Sequence, residues 1–339
     1  MIKLFKNPLF LIGFVFIVGL VTVSFIYSHI VNNEVKQIYH IYGEDNELVD
    51  SAPIAPRKEA LLGTDKLGYD MLSKVLIGAK FTILAALIIA ILRMVISVPI
   101  GLIVGTYFSK TKKYLNSLVD AFHFIPLTII ALYLLHPVLY MRPEGFAYSL
   151  TERMGIEILV LAILTVPILS VLIGNEAGEL LKSEYVISAK TLGGSNLHIM
   201  LKHIIPIMKD RFFILFGQQF VQTLIVMAHL GLFNLYFGGT LVSFDQMGTD
   251  PPQSMTNEWS GLIGGTKIFL QWAPWIPLTP IICFALTILA VSFMVEGFSR
   301  VTTGRPVYFK KRKKFNEDQM NKMDIESRSD QFKLLNKSS

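Results

Sequence analysis

Cysteine, charged residues and phosphate-binding loops are what this 339-residue sequence has least of. The single cysteine, Cys283, forbids an intrachain disulfide and any multi-cysteine metal site. No Gly-Lys dipeptide occurs, so the glycine-rich loop that cradles nucleotide phosphates in P-loop ATPases is absent. His-Glu-x-x-His, Gly-x-Ser-x-Gly and Gly-x-Gly-Asp segments are missing too, which leaves a membrane enzyme without its nucleophile, base or metal constellation. Charged residues make up 17% of the chain, against roughly 25% in soluble domains. What is present is apolar: 52% hydrophobic residues, 24 Phe and 12 Tyr, with a mean hydropathy of +0.52. Such a chain has too little polar surface to cover itself in water, and it reads as a membrane protein.

The net charge of +6 does not point to nucleic acid, because the basic residues flank apolar runs and no nucleic-acid-binding motif accompanies them. The densest cluster, 310–314, reads as a lipid-facing anchor or as a protein contact. Roughly 20 apolar residues of helix cross a bilayer. Six runs qualify, at 9–30, 81–108, 118–140, 155–173, 212–237 and 275–298, so the expected fold is an all-α polytopic bundle of six transmembrane helices. The first run follows Lys3 and Lys6 and lacks a small-residue cleavage site, which favours a retained helix over a signal peptide. With both termini cytoplasmic, the inside segments hold more than twice the lysines and arginines of the outside ones. Residues 31–80, ending in an amphipathic stretch at 71–80, and residues 238–274 are then outside loops. Trp272 and Trp275 suit the outer aromatic belt. The tail from 301 is polar and is expected to be mobile. The division is therefore 1–62 for the first helix and outer loop, 63–300 for the main membrane domain, and 301–339 for the basic tail. No internal repeat of the carrier type is present.

The inside loop 174–211 has a different character. Ser183 is placed to cap a short helix beginning at Glu184, whose acidic side chain complements the dipole, and Gly193-Gly194 stops it. Ser195 or Asn196 opens a second helix through His203 that closes near Pro206. Two short helices bent about Gly193 make a rigid knob suited to a groove in a partner protein.

Residues 185–193, Tyr-Val-Ile-Ser-Ala-Lys-Thr-Leu-Gly, followed by His203-Ile204-Ile205-Pro206, resemble the coupling-loop signature of bacterial binding-protein-dependent ABC transporter permeases. In that signature Glu-Ala-Ala is followed by Gly four residues after the second Ala, then by a distal Pro. Here Gly193, Pro206 and Ala189 match, Ser188 replaces the first Ala, and Ile187 stands where the family has Glu. The segment Leu62-Gly63-Thr64-Asp65-Lys66-Leu67-Gly68-Tyr69-Asp70 is similar to one that C-type subunits of oligopeptide and dipeptide permeases carry before their second span, with Tyr69 in place of the usual Arg. Asp120 with Pro126, Pro251-Pro252, Trp259, Ala273-Pro274-Trp275 and Glu296-Gly297 also fit, while the stretch at 232–250 is longer than usual.

The resemblance implies a type I ABC importer permease in the bacterial cell membrane that hydrolyses no ATP itself and needs no cofactor or metal. Its partners would be one or two separate ATPase subunits, a second homologous permease, an extracytoplasmic substrate-binding protein and the lipid bilayer. Coupling to the ATPase would run through Glu184, Ser188, Ala189, Lys190, Thr191, Leu192, Gly193, His203 and Pro206. The implied cargo is an oligopeptide or dipeptide, with nickel or another small solute as the alternative.

Other residues carry two readings. Gly193 is either a plain helix terminator or a coupling hinge. Arg93, central in the second run, serves as a structural pair, a permease-interface contact together with Asp120, or part of a pathway. Gln218, Gln219, Gln222 and Thr223 in the fifth run either bond between helices or line the translocation path. His123, His136 and His229 lie far apart and form no metal pairing, and His198 and His203 fall in the knob. A secondary carrier or channel would show intramembrane carboxylates central to the spans, whereas Asp120 and Glu296 lie near the ends of their runs.

Overall fold

The computed structural model describes residues 2–42, 45, 47–108, 116–117, 119, 125–244 and 251–303. The chain is helical with two small antiparallel hairpins. Five helical stretches are long and apolar enough to cross a membrane, at Pro8–Ile30, Met71–Tyr107, Leu150–Leu180, Asn196–Leu232 and Trp275–Thr303.

Helix α1 (Pro8–Ile30) starts where Asn7 accepts hydrogen bonds from the Leu9 and Phe10 amides, at 3.0 and 3.4 Å, and where Pro8 needs no acceptor. The β1–β2 hairpin (His40–Tyr42, Leu48–Ser51) follows. Helix α2 (Met71–Tyr107) begins at Asp70, whose carboxylate accepts from the Ser73 amide at 2.8 Å and the Ser73 hydroxyl at 2.6 Å. The amphipathic stretch 71–80, expected to be an outer loop, is thus the first part of this helix. Its apolar side, with Met71, Val75, Ile77 and Ala79 buried, had a partner that the local sequence did not reveal. At 37 residues, α2 is about 55 Å long at 1.5 Å per residue, well beyond a 30 Å hydrocarbon core. Ser24 of α1 inserts into its ladder: the hydroxyl donates to the Leu76 carbonyl and accepts from the Lys80 amide at 3.1 Å, four residues on.

Helix α3 (Leu127–Leu139) covers the second half of the run expected at 118–140; most of its first half, with Asp120 and His123, lies outside the described residues. Its 13 residues make about 20 Å. The run expected at 155–173 is two helices, α4 (Leu150–Ile163) and α5 (Val166–Leu180), and it is longer at both ends. Pro167 lacks the amide that would continue the ladder, so the chain turns at Leu164–Thr165. The knob follows, with α6 (Glu184–Thr191) and α7 (Asn196–Ile199), then a π turn at Met200–Ile204 and α8 (Ile205–Leu232). The run expected to reach 237 leaves the helix at Phe233; Leu235, Tyr236 and Phe237 are buried in a loop instead. That loop carries β3 (Thr240–Leu241), β4 (Gln253–Ser254) and α9 (Trp259–Ile263), and α10 (Trp275–Thr303) ends the described chain.

The described residues of segments 31–70, 140–149 and 233–274 gather at one end of the bundle. The Trp275 indole donates to the Thr64 carbonyl at 3.0 Å, the Trp259 indole to the Val75 carbonyl at 2.9 Å, and Tyr140 bridges Thr240. The knob emerges at the opposite end. The most extensive helix pair is α2 with α5. A Cβ on Gly101 would lie 2.6 Å from the Ser170 carbonyl oxygen, and one on Gly105 would lie 2.6 Å from that of Gly174. Backbone contact this close gives dispersion attraction where lipid removes the hydrophobic drive between helices. The main core joins Ile83, Ala86 and Ile89 of α2 with Leu135, Leu161, Phe220 and Trp259.

Candidate functional site

The knob is built by local rules. Helix α6 ends in a Schellman motif: Gly193 has φ +91°, its amide donates to the Lys190 carbonyl at 3.0 Å, and the Gly194 amide donates to that of Ala189 at 3.1 Å. A Cβ on Gly193 would touch nothing within 4 Å, so glycine is required there by backbone conformation and not by space. Ser195 accepts from the His198 amide at 3.2 Å and opens α7. Two expectations are corrected. Ser183 occupies the capping position of α6, but its hydroxyl donates backward to the Leu180 carbonyl and caps nothing. Pro206 does not close a helix; it lies in the first turn of α8, and helix runs on to Leu232. The π turn explains this. Its wider ring, with the Ile205 amide reaching the Met200 carbonyl, makes room for a proline ring that would clash with an α-helical ladder.

The knob's inner side is anchored: Val186, Ile199, Ile204 and Met208 are buried against Leu102, Leu169 and Ile173. Its outer side is apolar and open. Leu192 at the tip is 89% exposed, and Tyr185, Ile187, Leu197 and Leu201 are exposed around it. Glu184, Lys190 and Pro206 are exposed; Ala189 and His203 are half-buried. The Ser188 and Thr191 hydroxyls donate to the Glu184 and Ile187 carbonyls at 2.9 and 3.0 Å, so they leave little polarity on the surface. At the knob's base, Arg211 Nε reaches both carboxylate oxygens of Glu176, at 2.8 and 3.0 Å, and ties α8 to α5.

The polar residues of the spans fall into two groups. Arg93 is fully buried. Its Nη2 and Nε donate to the Leu161 carbonyl at 2.8 and 3.1 Å, and its Nη1 to the amide oxygens of Gln219 and Gln222 at 3.2 and 3.4 Å. The helix break at Leu164–Thr165 frees that carbonyl, because the Thr165 amide turns to Ala162 instead. Thr223 is buried and donates to the Gln219 carbonyl at 2.8 Å. Gln218 stands apart and is exposed, in a groove between α8 and α10 with Gln222, Ser292 and Glu296.

At the loop end lie polar residues that sequence reasoning did not single out. Glu258 is fully buried and accepts from the Ser260 amide and hydroxyl and the Gly261 amide, each at 2.7 Å, and from the Phe237 amide at 3.3 Å. Burial raises its carboxyl above the ordinary range, opposed by those four donors. Burial, with the Glu258 charge, likewise pushes the Tyr236 hydroxyl up. Arg153 and Glu157 of α4 are also buried. An acid preceding Trp259-Ser260-Gly261 was the one sequence signal, that of a helix cap. In the Leu62–Asp70 segment, Asp65 accepts from the Leu67 and Tyr69 amides, both at 2.9 Å, and pairs with Lys74. Lys74 also lies 4.9 Å from the Tyr69 ring, over its face. Among the described residues no three His, Cys, Asp or Glu side chains cluster to hold a metal.

Apolar helices of membrane length, polar groups tied inside the bundle and a helical knob at one end define a multi-pass membrane protein. The chain belongs to the family of binding-protein-dependent transport system inner membrane components, whose profile matches residues 97–303, more than half its length. Among its relatives, a dipeptide transport system permease of Alkalihalophilus pseudofirmus is 23% identical over 87% of this chain and 85% of its own. A glutathione transport system permease of Pectobacterium atrosepticum is 23% identical over 71% of each chain. A di/tripeptide transport system permease of Pseudomonas aeruginosa is 23% identical over 70% of this chain and 69% of its own.

Proposed function

We propose that the chain is the permease subunit of an ATP-driven importer of short peptides, the cargo class named for its relatives. It contributes half of a translocation path, pairs with a second permease, and receives cargo from an extracytoplasmic binding protein. Six spans, read from the apolar runs with α3 inside the third, leave both termini on one side of the membrane, and the excess of lysine and arginine there makes that side the cytoplasm. Residues 63–300 then form the transport domain, preceded by the 1–62 anchor and followed by the basic tail.

The observation that carries this reading is the knob's apolar tip: Leu192 projects 89% exposed from a helix whose other side is anchored by Val186. An apolar cluster held in water marks a docking surface. A separate ATPase that closes on ATP and grips Leu192, with Glu184 and Lys190 at the rim, drags α6 and α7 as one body and biases the bundle between inward-open and outward-open states. The groove bearing Gln218, with Gln222 at its edge, supports a path whose amide donors and acceptors carry no charge, the Glu296 carboxylate in it being paired with Arg300. Gln219 and Thr223 serve packing, and Arg93 ties helices together.

Co-purification in mild detergent tests the reading. A P-loop ATPase and a second permease are expected with the wild type, both reduced by Leu192→Glu and Gly193→Asp in chains that stay folded. Recovery of the chain alone, even after crosslinking, would overturn it.

A further inference from the structure

Among the described residues, Arg153 is the buried cation that has no proper acceptor. It is 2% exposed, and its Nε and Nη1 have no hydrogen-bond partner. Its Nη2 reaches only the Met255 sulfur, at 3.1 Å, a weak acceptor. The guanidinium lies flat, 3.4 Å from the Phe146 ring centroid on one face. Beside them is Gly239 (φ +129°), where a Cβ would come within 3.1 Å of both Cζ and the edge of the Phe146 ring. Among the described residues, the acids beside it in α4 are committed elsewhere. Glu152 accepts from the Ser149 amide at 2.8 Å in the capping box of α4, and Glu157, one turn on from Arg153, accepts from the Gly238 amide at 3.2 Å. The position adds to the cost, since Arg153 lies in the first turn of α4, where the helix dipole favours an anion. A buried charge without a counter-ion is among the least stable arrangements in a protein.

We infer that Arg153 receives a carboxylate of the transported peptide at the loop end of the bundle; this rests on the peptide reading above. The cover over the guanidinium is thin. Met255 is 41% exposed and Phe146 half-buried, and the two loops that carry Phe146 and Gly239 are joined by the Met141 amide donating to the Thr240 carbonyl at 3.1 Å. A carboxylate that displaces the Met255 sulfur meets Nε and Nη2 along one edge of the guanidinium, the fork that suits two oxygens. The Phe146 ring then holds the guanidinium from one face, and Gly239, with no side chain at the ring edge, leaves the space beside it open. A carboxylate makes a charge-assisted pair there, whereas a carboxamide brings one acceptor and two donors to a site that has only donors to offer.

Thermal unfolding of the full chain in detergent micelles, with tri-alanine or tri-alanine amide added, tests this. The wild type is expected to be stabilised by the free acid with an apparent affinity at least about tenfold above that of the amide. Arg153→Gln and Arg153→Met are expected to abolish the difference. Arg153→Met, which removes the unpaired charge at similar volume, is expected to unfold no earlier than the wild type without ligand. Equal response to acid and amide in the wild type, a difference that survives in Arg153→Met, or failure of both variants to fold would each overturn the assignment. Stabilisation by acetate that Arg153→Met loses, with no response to either peptide, would keep a carboxylate site and remove the peptide reading. No response to any of the three would overturn both.

Discussion

Arg93 Nη1 lies 3.2 Å from Gln219 Oε1, joining two membrane helices through side chains that are at least nine-tenths buried. With Leu161 as the third partner, the guanidinium links α2, α4 and α8 where the helix break exposes a carbonyl. Arg93→Ala is expected to lower stability by about 3 kcal/mol, because it leaves a cavity and three oxygens without their donor. Arg93→Lys is expected to fall between, since an ammonium does not span the same acceptors. Thermal unfolding in detergent reads both. An Ala variant as stable as the wild type would refute the tie.

The conformation of Gly193 predicts an order of damage. Gly193→Ala forces a Cβ into the left-handed region at about 1–2 kcal/mol, while Asn tolerates that region better. Hydrogen exchange at the Gly194 amide, which closes the Schellman motif on Ala189, should speed up in the order Gly, Asn, Ala. Indistinguishable exchange in the three proteins would contradict the motif's role.

Trp259 is pinned to α2 twice, by its indole to the Val75 carbonyl at 2.9 Å and by its backbone amide to the Thr82 hydroxyl at 3.0 Å. Trp259→Phe is expected to cost about 1–3 kcal/mol, since the indole's bond is lost inside the bundle and some volume with it. Thr82→Val is expected to cost about 1 kcal/mol for the orphaned amide. If the double variant is no worse than Trp259→Phe alone, the loop is not held at two points.

Glu258 predicts a pH dependence. Burial raises its carboxyl in the folded state, so the protonated form is favoured on folding. Its contribution to stability is then full below about pH 4.5, the ordinary glutamate value, and is lost as pH rises through the raised folded value. The melting temperature of Glu258→Gln should therefore gain on that of the wild type across the window that opens above about pH 4.5 and ends at the raised folded value. A constant gap across that window would show that the four donors outweigh burial.

Much of the molecule could be read from neighbours along the chain. The caps at Asn7 and Asp70, the turn at Gly193 and the break before Pro167 follow rules that span four or five residues. Errors arose where distant chain supplied the partner. Residues 71–80 looked like a loop because their apolar side meets the 257–263 segment, nearly two hundred residues away. The span holding Arg153 starts earlier than the apolar run because charges mark water in a sequence, whereas here a loop buries Arg153. Pro206 looked like a terminator because a π turn depends on how the knob packs.

Residue order by itself determined that the chain lives in a bilayer, where its long helices run and where the knob bends, since hydropathy and backbone preference are local quantities. Tertiary structure alone decided which polar groups meet. The bonds from Arg93 to Leu161 and Gln219 join residues 68 and 126 positions apart, and hydrophobic periodicity is silent about which buried face finds which acceptor. Among the described residues it also left the buried Arg153 without one.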